Sequence, residues 1–297
     1  RYAADIPSDK RDLTVRQLFA LTSGLPGGDQ SSALSCLGNR FATLEACARE
    51  ILDLPLRAPP GTTFDYGGHS MQVAGWIAEK ATDEDWNRLF RRELAETLDM
   101  TDTDFGLLRG VDVGNPRIAG GVFSTAPDYL KLLQLHLDDG RKAGLRLLDA
   151  GTVADMQARQ TRGASITYTA NPQAVGYAIG HWVEREAGDG QSERLSSPGA
   201  FGFWPWIVTR RGIAGVLAGP GGYAAQAADT RALIAAVQAA LDKDIATVPF
   251  ADFGGLWWSP AEAGSGMTLV QQANGALLAS WYSFDDAGER VWLYATG

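Results

Sequence analysis

Cysteine, histidine and positive charge are all scarce in this chain, and no long apolar run occurs. Lysine and arginine number 26 against 35 aspartates and glutamates, a formal net charge of -9. That balance excludes the basic footprint of a nucleic-acid binder, and it argues equally against an anionic membrane surface. No apolar stretch approaches the roughly 18 residues of a spanning helix. The three histidines, His69, His136 and His181, lack metal-ligand spacing, so neither a metal nor a cofactor is expected. His136 shares a helix face with Tyr129, Leu132 and Leu133, which reads as packing; His181 falls on a strand, where a structural role is at least as good a reading as a cleft-facing one. The "GPGGY" at 219–223 lacks the lysine of a phosphate loop and reads as a turn. Ser70, in "GHSMQ", is not in a G-x-S-x-G elbow, and its neighbour His69 would not face it on a helix.

Only two cysteines are present, Cys36 and Cys47, flanking "LGNRFATLEA". A pair so close around a loop running into a helix reads as a disulfide and hence an oxidising compartment; two unrelated buried thiols are the alternative. The chain opens on "RYAADIPSDKRD" with no initiator methionine and stops in "RVWLYATG", inside an expected strand, so it reads as cut at both ends.

What is present divides into helices, then strands, then one helix. "LTVRQLFALTSGLPGG" is a short helix that Thr14 and Gln17 close with a capping box. "ATLEACAREILDLP" is a second. A third runs from about His69 to Ala81, a fourth through "DEDWNRLFRRELAETL", and a fifth follows the cap at Thr125 and Asp128. Beyond residue 170, "AVGYAIGHWVERE", "FGFWPWIVTRR" and "IAGVLAGPGG" are short, aromatic or β-branched and glycine-bounded, the pattern of antiparallel strands. "DTRALIAAVQAALDKDI" is a closing helix capped at Asp229 or Thr230. The expected class is α+β: an antiparallel sheet flanked by helices, with a helical subdomain. Residues 1–244 form the main domain, 245–252 a linker and 253–297 a small all-β module. Four of the nine tryptophans fall in that module, and Asn274-Gly275 and "DDAGER" mark its turns, giving a meander that stops at its third strand. Stacked aromatics there could bind a cell-wall or surface glycan; tryptophans filling the core of a small domain are the favoured reading.

One stretch asks for a chemical explanation. "PPGTTFDYGGHSMQVAGWIAEKAT", residues 59–82, turns sharply, presents Tyr66, and follows it with Gly67 and Gly68 before a helix. A tyrosine on such a corner has a reachable hydroxyl and a ring fixed by the helix, and glycine permits close approach. Together with "LTVRQLFALTSGLP", "NPRIAGGVFSTAPDYLKLLQLHLDDG" and "LSSPGAFGFWPWIV", in that order, it resembles the serine β-lactamase and penicillin-binding-protein superfamily. The resemblance is greatest to the branch of class C-like β-lactamases, D-alanyl-D-alanine carboxypeptidases and bacterial esterases, and it covers roughly residues 1–244. The tail is similar to a glycine- and aromatic-rich repeat of bacterial exported proteins.

The resemblance implies three motifs. Tyr66 matches the acid/base tyrosine; the asparagine two residues on is replaced by Gly68. Ser197-Pro198-Gly199 stands where the family has lysine or histidine, any residue, then glycine, so Ser197 replaces a cation that would pair with a substrate carboxylate. The N–H of Ala200 matches the oxyanion-hole donor. The first motif, a serine three residues before a lysine, occurs nowhere in the chain; the family carries it upstream of "LTVRQLFALTSGLP". The resemblance therefore implies an exported serine hydrolase acting through an acyl-enzyme on a small ester, amide or lactam. A β-lactamase or D-Ala-D-Ala carboxypeptidase is one alternative and a non-catalytic binding relative another. Lacking the lysine that would lower a phenol pKa of about 10, these 297 residues alone are expected to be inactive. Without the family's first strands and central helix, an apolar face is expected to lack a partner.

Overall fold

The structure is a computed structural model that describes residues 6–27, 35–105, 111–219, 222–245, 255–258, 266–271, 277–284 and 290–296. Its helices are α1 (Val15–Phe19), α2 (Leu44–Leu52), α3 (His69–Thr82), α4 (Trp86–Phe90), α5 (Ala126–Leu137), α6 (Ala150–Gln157) and α7 (Tyr223–Ile245). Six short strands lie in the first part: β1 (Thr63–Asp65), β2 (Asp104–Phe105), β3 (Val122–Phe123), β4 (Arg141–Lys142), β5 (Leu145–Arg146) and β6 (Ser165–Tyr168). The main sheet then takes β7 (Gly176–Tyr177), β8 (Trp182–Glu186), β9 (Ser192–Ser196), β10 (Phe203–Val208) and β11 (Ile213–Ala218). It continues with β12 (Gly255–Trp258), β13 (Gly266–Gln271), β14 (Leu277–Phe284) and β15 (Arg290–Thr296).

The nine strands run β12-β13-β14-β15-β11-β10-β9-β8-β7, with every neighbour antiparallel. Helices and an antiparallel sheet in this arrangement are the expected α+β fold. Residue alternation along β10 and β11 puts two apolar faces on the sheet. Ile207, Ala214 and Val216 receive Ala126, Leu130 and Leu133 of α5. Trp204, Trp206, Val208 and Ile213 receive α7 through Ala227, Leu233 and Ile234. A separate core of Leu18, Leu44, Ile51, Val73 and Trp76 joins α1, α2 and α3.

The tail has four strands, β12–β15, where a meander of three is expected from the sequence, and they continue the main sheet: β15 lies against the edge of β11, Ala214 opposite Thr296 through Ala218 opposite Trp292. Backbone groups along that edge of β11 are thereby paired. The Asn274-Gly275 turn and most of "DDAGER" lie outside the described residues; the strands on either side pair with Gln271 opposite Leu277 and Phe284 opposite Arg290.

Local chemistry explains the helix ends. Thr14 and Gln17 close both bonds of the capping box on α1. Thr125 accepts from the Asp128 N–H at the start of α5. Two expectations need revision. The fourth helix changes winding at Arg91–Ala95, where the Glu96 N–H reaches back five residues to Arg91 O at 2.8 Å. The closing helix starts at Tyr223, so Asp229 and Thr230 lie within it and cap nothing; "YAAQAA" is a run of good helix formers that extends it.

Candidate active site

The Tyr66 corner is tied down on two sides. From the segment after α1, the Leu21 carbonyl accepts the Asp65 N–H (3.0 Å), Thr22 O accepts Gly61 N–H (2.7 Å) and Gly24 O accepts Arg57 N–H (2.8 Å). Gly24 has φ +81°, and a Cβ there would lie 2.2 Å from Ala58 O, so glycine is required for this approach. Asp65 Oδ2 accepts the Gly27 N–H at 2.9 Å. On the other side β1 pairs parallel with β6, Phe64 opposite Ile166, and the Tyr66 N–H donates to Tyr168 O at 3.1 Å.

Helix α3 begins immediately after Gly68, which has φ -84° and supplies no side-chain cap. Gly68 therefore has ordinary helical backbone, and a Cβ there would meet Leu37 at 3.4 Å and Ala119 at 3.7 Å, ordinary contacts. The buried amide of Gln72 fixes the helix against the following loop: its Nε2 donates to Asn115 Oδ1 (2.7 Å) and Pro116 O (2.9 Å), and its Oε1 accepts from the Ile118 N–H (3.2 Å). Asn115 in turn donates to the carbonyls of Cys36 and Asn39. Cys36 and Cys47 are disulfide-bonded with Cα atoms 5.2 Å apart, which holds the 35–38 turn on α2 beside Gly68.

The Tyr66 ring is half-buried. It packs 4.8 Å from Trp182 and 6.1 Å from Tyr177, over Phe64. Burial raises the Tyr66 hydroxyl above its ordinary pKa, and the neighbouring hydroxyls of Tyr168 and Tyr223 push the same way. The fully buried Tyr177 is raised further, by burial first and then by Tyr66 and Tyr129. Tyr66 on its corner thus has near it tyrosines from four elements, Tyr168 of β6, Tyr177 of β7, Tyr223 of α7 and, beside Tyr177, Tyr129 of α5; the aromatic stretch "GYAIGHW" is the one sequence signal for any of them.

The second candidate loop follows β9. Ser197 N–H donates to Pro205 O (3.0 Å) and Gly199 N–H to Phe203 O (2.7 Å), which extends the β9–β10 ladder to the tip. The tip is Ala200 and Phe201, both exposed, closed by Gly202 at φ +88°. Ala200 O accepts the Tyr223 N–H at 3.2 Å, whereas among the described residues the Ala200 N–H has no hydrogen-bond partner. The Ser197 hydroxyl donates to Gly180 O at 3.2 Å. Behind this loop Tyr223 stacks on Trp204, and Arg231 Nη2 donates to Tyr223 Oη (3.1 Å) and Asn171 Oδ1 (2.8 Å).

Two other groups are clarified. The Ser70 hydroxyl pairs with Ser23 at 2.8 Å in the interior, so it forms no dyad with His69. His136 and His181, 45 positions apart, meet edge to face at 5.1 Å; spacing in sequence did not reveal this. Burial, then the neighbouring His181, lowers the His136 pKa to about 3. Among the described residues no group of three or more His, Cys, Asp or Glu could hold a metal, and no helix is long and apolar enough to cross a membrane.

Helices packed on an antiparallel sheet, with a tyrosine corner after β1 and an exposed turn after β9, make this an α+β domain of the β-lactamase-like class. The sequence model described as Beta-lactamase matches residues 2–239, and the chain belongs to that family. It is 28% identical over 244 residues to penicillin-binding protein 4 of Amycolatopsis lactamdurans, covering 72% of this chain and 61% of that protein. A Bacteroides dorei DSM 17855 protein provisionally named a β-lactamase is 32% identical with a TM-score of 0.60, over 69% of this chain and 63% of the other. EstCE1, described as a hydrolase with promiscuous acyltransferase activity, shares the fold at 19% identity and a TM-score of 0.54, over 68% of this chain and 65% of its own. The chain thus spans less than two thirds of the length of these relatives.

Proposed function

We propose that this domain belongs to an exported serine hydrolase that cleaves a small ester or amide through an acyl-enzyme. In this reading residues outside the present 297 supply the serine and its lysine. The serine oxygen attacks the carbonyl carbon as its proton passes to Tyr66; the developing oxyanion accepts the Ala200 N–H. The proton then leaves with the alcohol or amine, and water repeats the sequence on the acyl-enzyme. The observation that carries the proposal is the Ala200 amide: unpaired among the described residues, on an exposed residue, and preceded by the Ser197 and Gly199 amides, which are spent in the ladder. A preorganised donor of this sort is worth about 3 kcal/mol of barrier.

The raised pKa of Tyr66 supports the need for an external lysine, because a buried phenol without a cation stays protonated at neutral pH. Ser197 offers no positive charge and its hydroxyl is already engaged, which favours a neutral substrate. A second reading, a β-lactamase or D-Ala-D-Ala carboxypeptidase, gains support from Arg231. This guanidinium has neutral partners in the hydrogen bonds described above and lies behind the tip, one tyrosine away. A binding relative without turnover is the remaining alternative. The Cys36–Cys47 bond supports an oxidising compartment. Glycan binding by residues 253–297 stands as a separate proposal, tested by retention on an insoluble glycan and its loss on deleting them. The hydrolase proposal is tested by assaying p-nitrophenyl ester turnover in the product of the reading frame extended upstream of Arg1, with and without Tyr66→Phe.

A further inference from the structure

Between α4, the segment after it, and α5 lies an open pocket of about 320 Å³. Its wall includes Trp86, Phe90, Leu94, Phe105, Tyr129 and Leu132. Phe90 and Phe105 pack edge to face at 4.7 Å, and Trp86 meets Phe105 at 5.4 Å, so one side of the wall is a rigid aromatic cluster. The polar residues at its border are already occupied: Thr103 Oγ1 pairs with Ser124 (2.7 Å) and donates to Asp128 (3.0 Å), and Glu93 pairs with Arg92. Such a wall has little with which to recognise a polar ligand and much with which to bury an apolar one.

Tyr129 connects this pocket to the candidate site. Its ring lines the pocket and sits 5.4 Å from Phe203, whose carbonyl accepts the Gly199 N–H at the base of the Ala200 tip. We infer that the pocket receives the apolar acyl or aryl portion of the substrate, a phenyl-bearing or medium-length alkyl group, with Tyr129 as the divide between it and the reacting carbonyl. A cavity of about 150 Å³ already accepts benzene, so this volume suits a substituted ring. The inference deepens the hydrolase reading by naming the substrate class; occupancy of the pocket by an apolar group is a separate fact that can be measured without turnover.

The test titrates 3-(4-fluorophenyl)propan-1-ol, which has no bond to hydrolyse, into the purified 297-residue chain. It reads fluorine line width together with the indole N–H resonance of Trp86. Saturable broadening with a shift at Trp86 is expected. Leu132→Trp, which fills the pocket, should weaken binding at least tenfold, and Leu94→Phe, a milder filling that guards against misfolding, at least threefold. Leu145→Ser, at an exposed residue outside the pocket wall, should leave binding within twofold. Absence of saturable binding overturns the inference, as does binding that neither filling variant alters. Binding to this chain but not to the product of the upstream-extended frame also overturns it, because the groove is then a seat for polypeptide. Failure of ester turnover in that longer product, with probe binding intact, would count against the hydrolase reading alone.

Discussion

Tyr66 lies against Trp182, ring centroids 4.8 Å apart and planes inclined by 31°. Trp182 is 4% exposed and also packs edge to face on Tyr177 at 5.0 Å, so one β8 side chain fixes two of the tyrosines in the cleft. Trp182→Ala should cost about 3–5 kcal/mol by opening a cavity under Tyr66, with Trp182→Phe costing clearly less. Urea melts of the two variants measure this. Equal losses would show that the contact does not position the Tyr66 ring.

Reducing the Cys36–Cys47 bond should destabilise the helical layer. The bond closes a loop of sequence separation 11, for which chain entropy gives about 3 kcal/mol. The lowered midpoint should be matched by a Cys36→Ser/Cys47→Ser variant measured without reductant. The Cys36 carbonyl accepts from Asn115 at 2.6 Å, and Asn115 bonds Gln72 of α3, so the Asn115 side-chain resonances should shift as well. An unchanged midpoint in both experiments would show that the bond contributes nothing to the fold.

Acid should loosen the contact between α5 and the turn before β8. His136 has its pKa lowered from 6.5 to about 3 by burial, and burial lowers His181 too. The unfolded chain therefore binds protons near 6.5 that the folded chain refuses. Stability from the neutral pair is fully present above about pH 6.5 and is lost as pH falls from there toward 3, by at most about 1.4 kcal/mol per pH unit for each histidine. Urea melts between pH 7.5 and 5.5 should show that slope, and His136→Leu should flatten it. A slope unaffected by the substitution would place the proton uptake elsewhere.

Much of the helical layer was legible because its signals are local. Thr14 with Gln17, Thr125 with Asp128 and the glycines before His69 mark helix starts within four residues of the positions they govern. Of the candidate site, the sequence offers only Tyr66 and the 197–200 loop, through short motifs. Tyr129, Tyr168, Tyr177 and Tyr223 come from four separate elements, and nothing in the periodicity of one strand or helix says which other element it will face. The parallel pairing of β1 with β6 joins Thr63 to Ser165, 102 positions apart, and although "SITY" alternates polar and apolar residues, four residues of alternation do not name a partner strand. The winding change after Phe90 was hidden for a different reason: an added residue per turn leaves the apolar spacing of Trp86, Phe90 and Leu94 nearly intact.

Arg231 separates the two enzyme readings. A charged hydrogen bond to a substrate carboxylate is worth about 1.5–3 kcal/mol, so Arg231→Met in the active protein should raise KM roughly 10- to 100-fold for carboxylate-bearing substrates. Neutral esters should be hydrolysed within about twofold of the parent. A uniform loss on both would make Arg231 a support for Tyr223 and Asn171, and the neutral-ester reading would stand.

The central claim is that Tyr66 moves the proton of a serine supplied from beyond these residues, opposite the Ala200 amide. The most direct measurement assays p-nitrophenyl ester hydrolysis in the product of the upstream-extended frame, in its Tyr66→Phe variant and in the 297-residue chain alone. The account predicts turnover by the longer product, a loss of about 10²–10⁴-fold in Tyr66→Phe, and none by the chain alone. Turnover by the chain alone that Tyr66→Phe abolishes, or turnover by the longer product that Tyr66→Phe leaves intact, would contradict it.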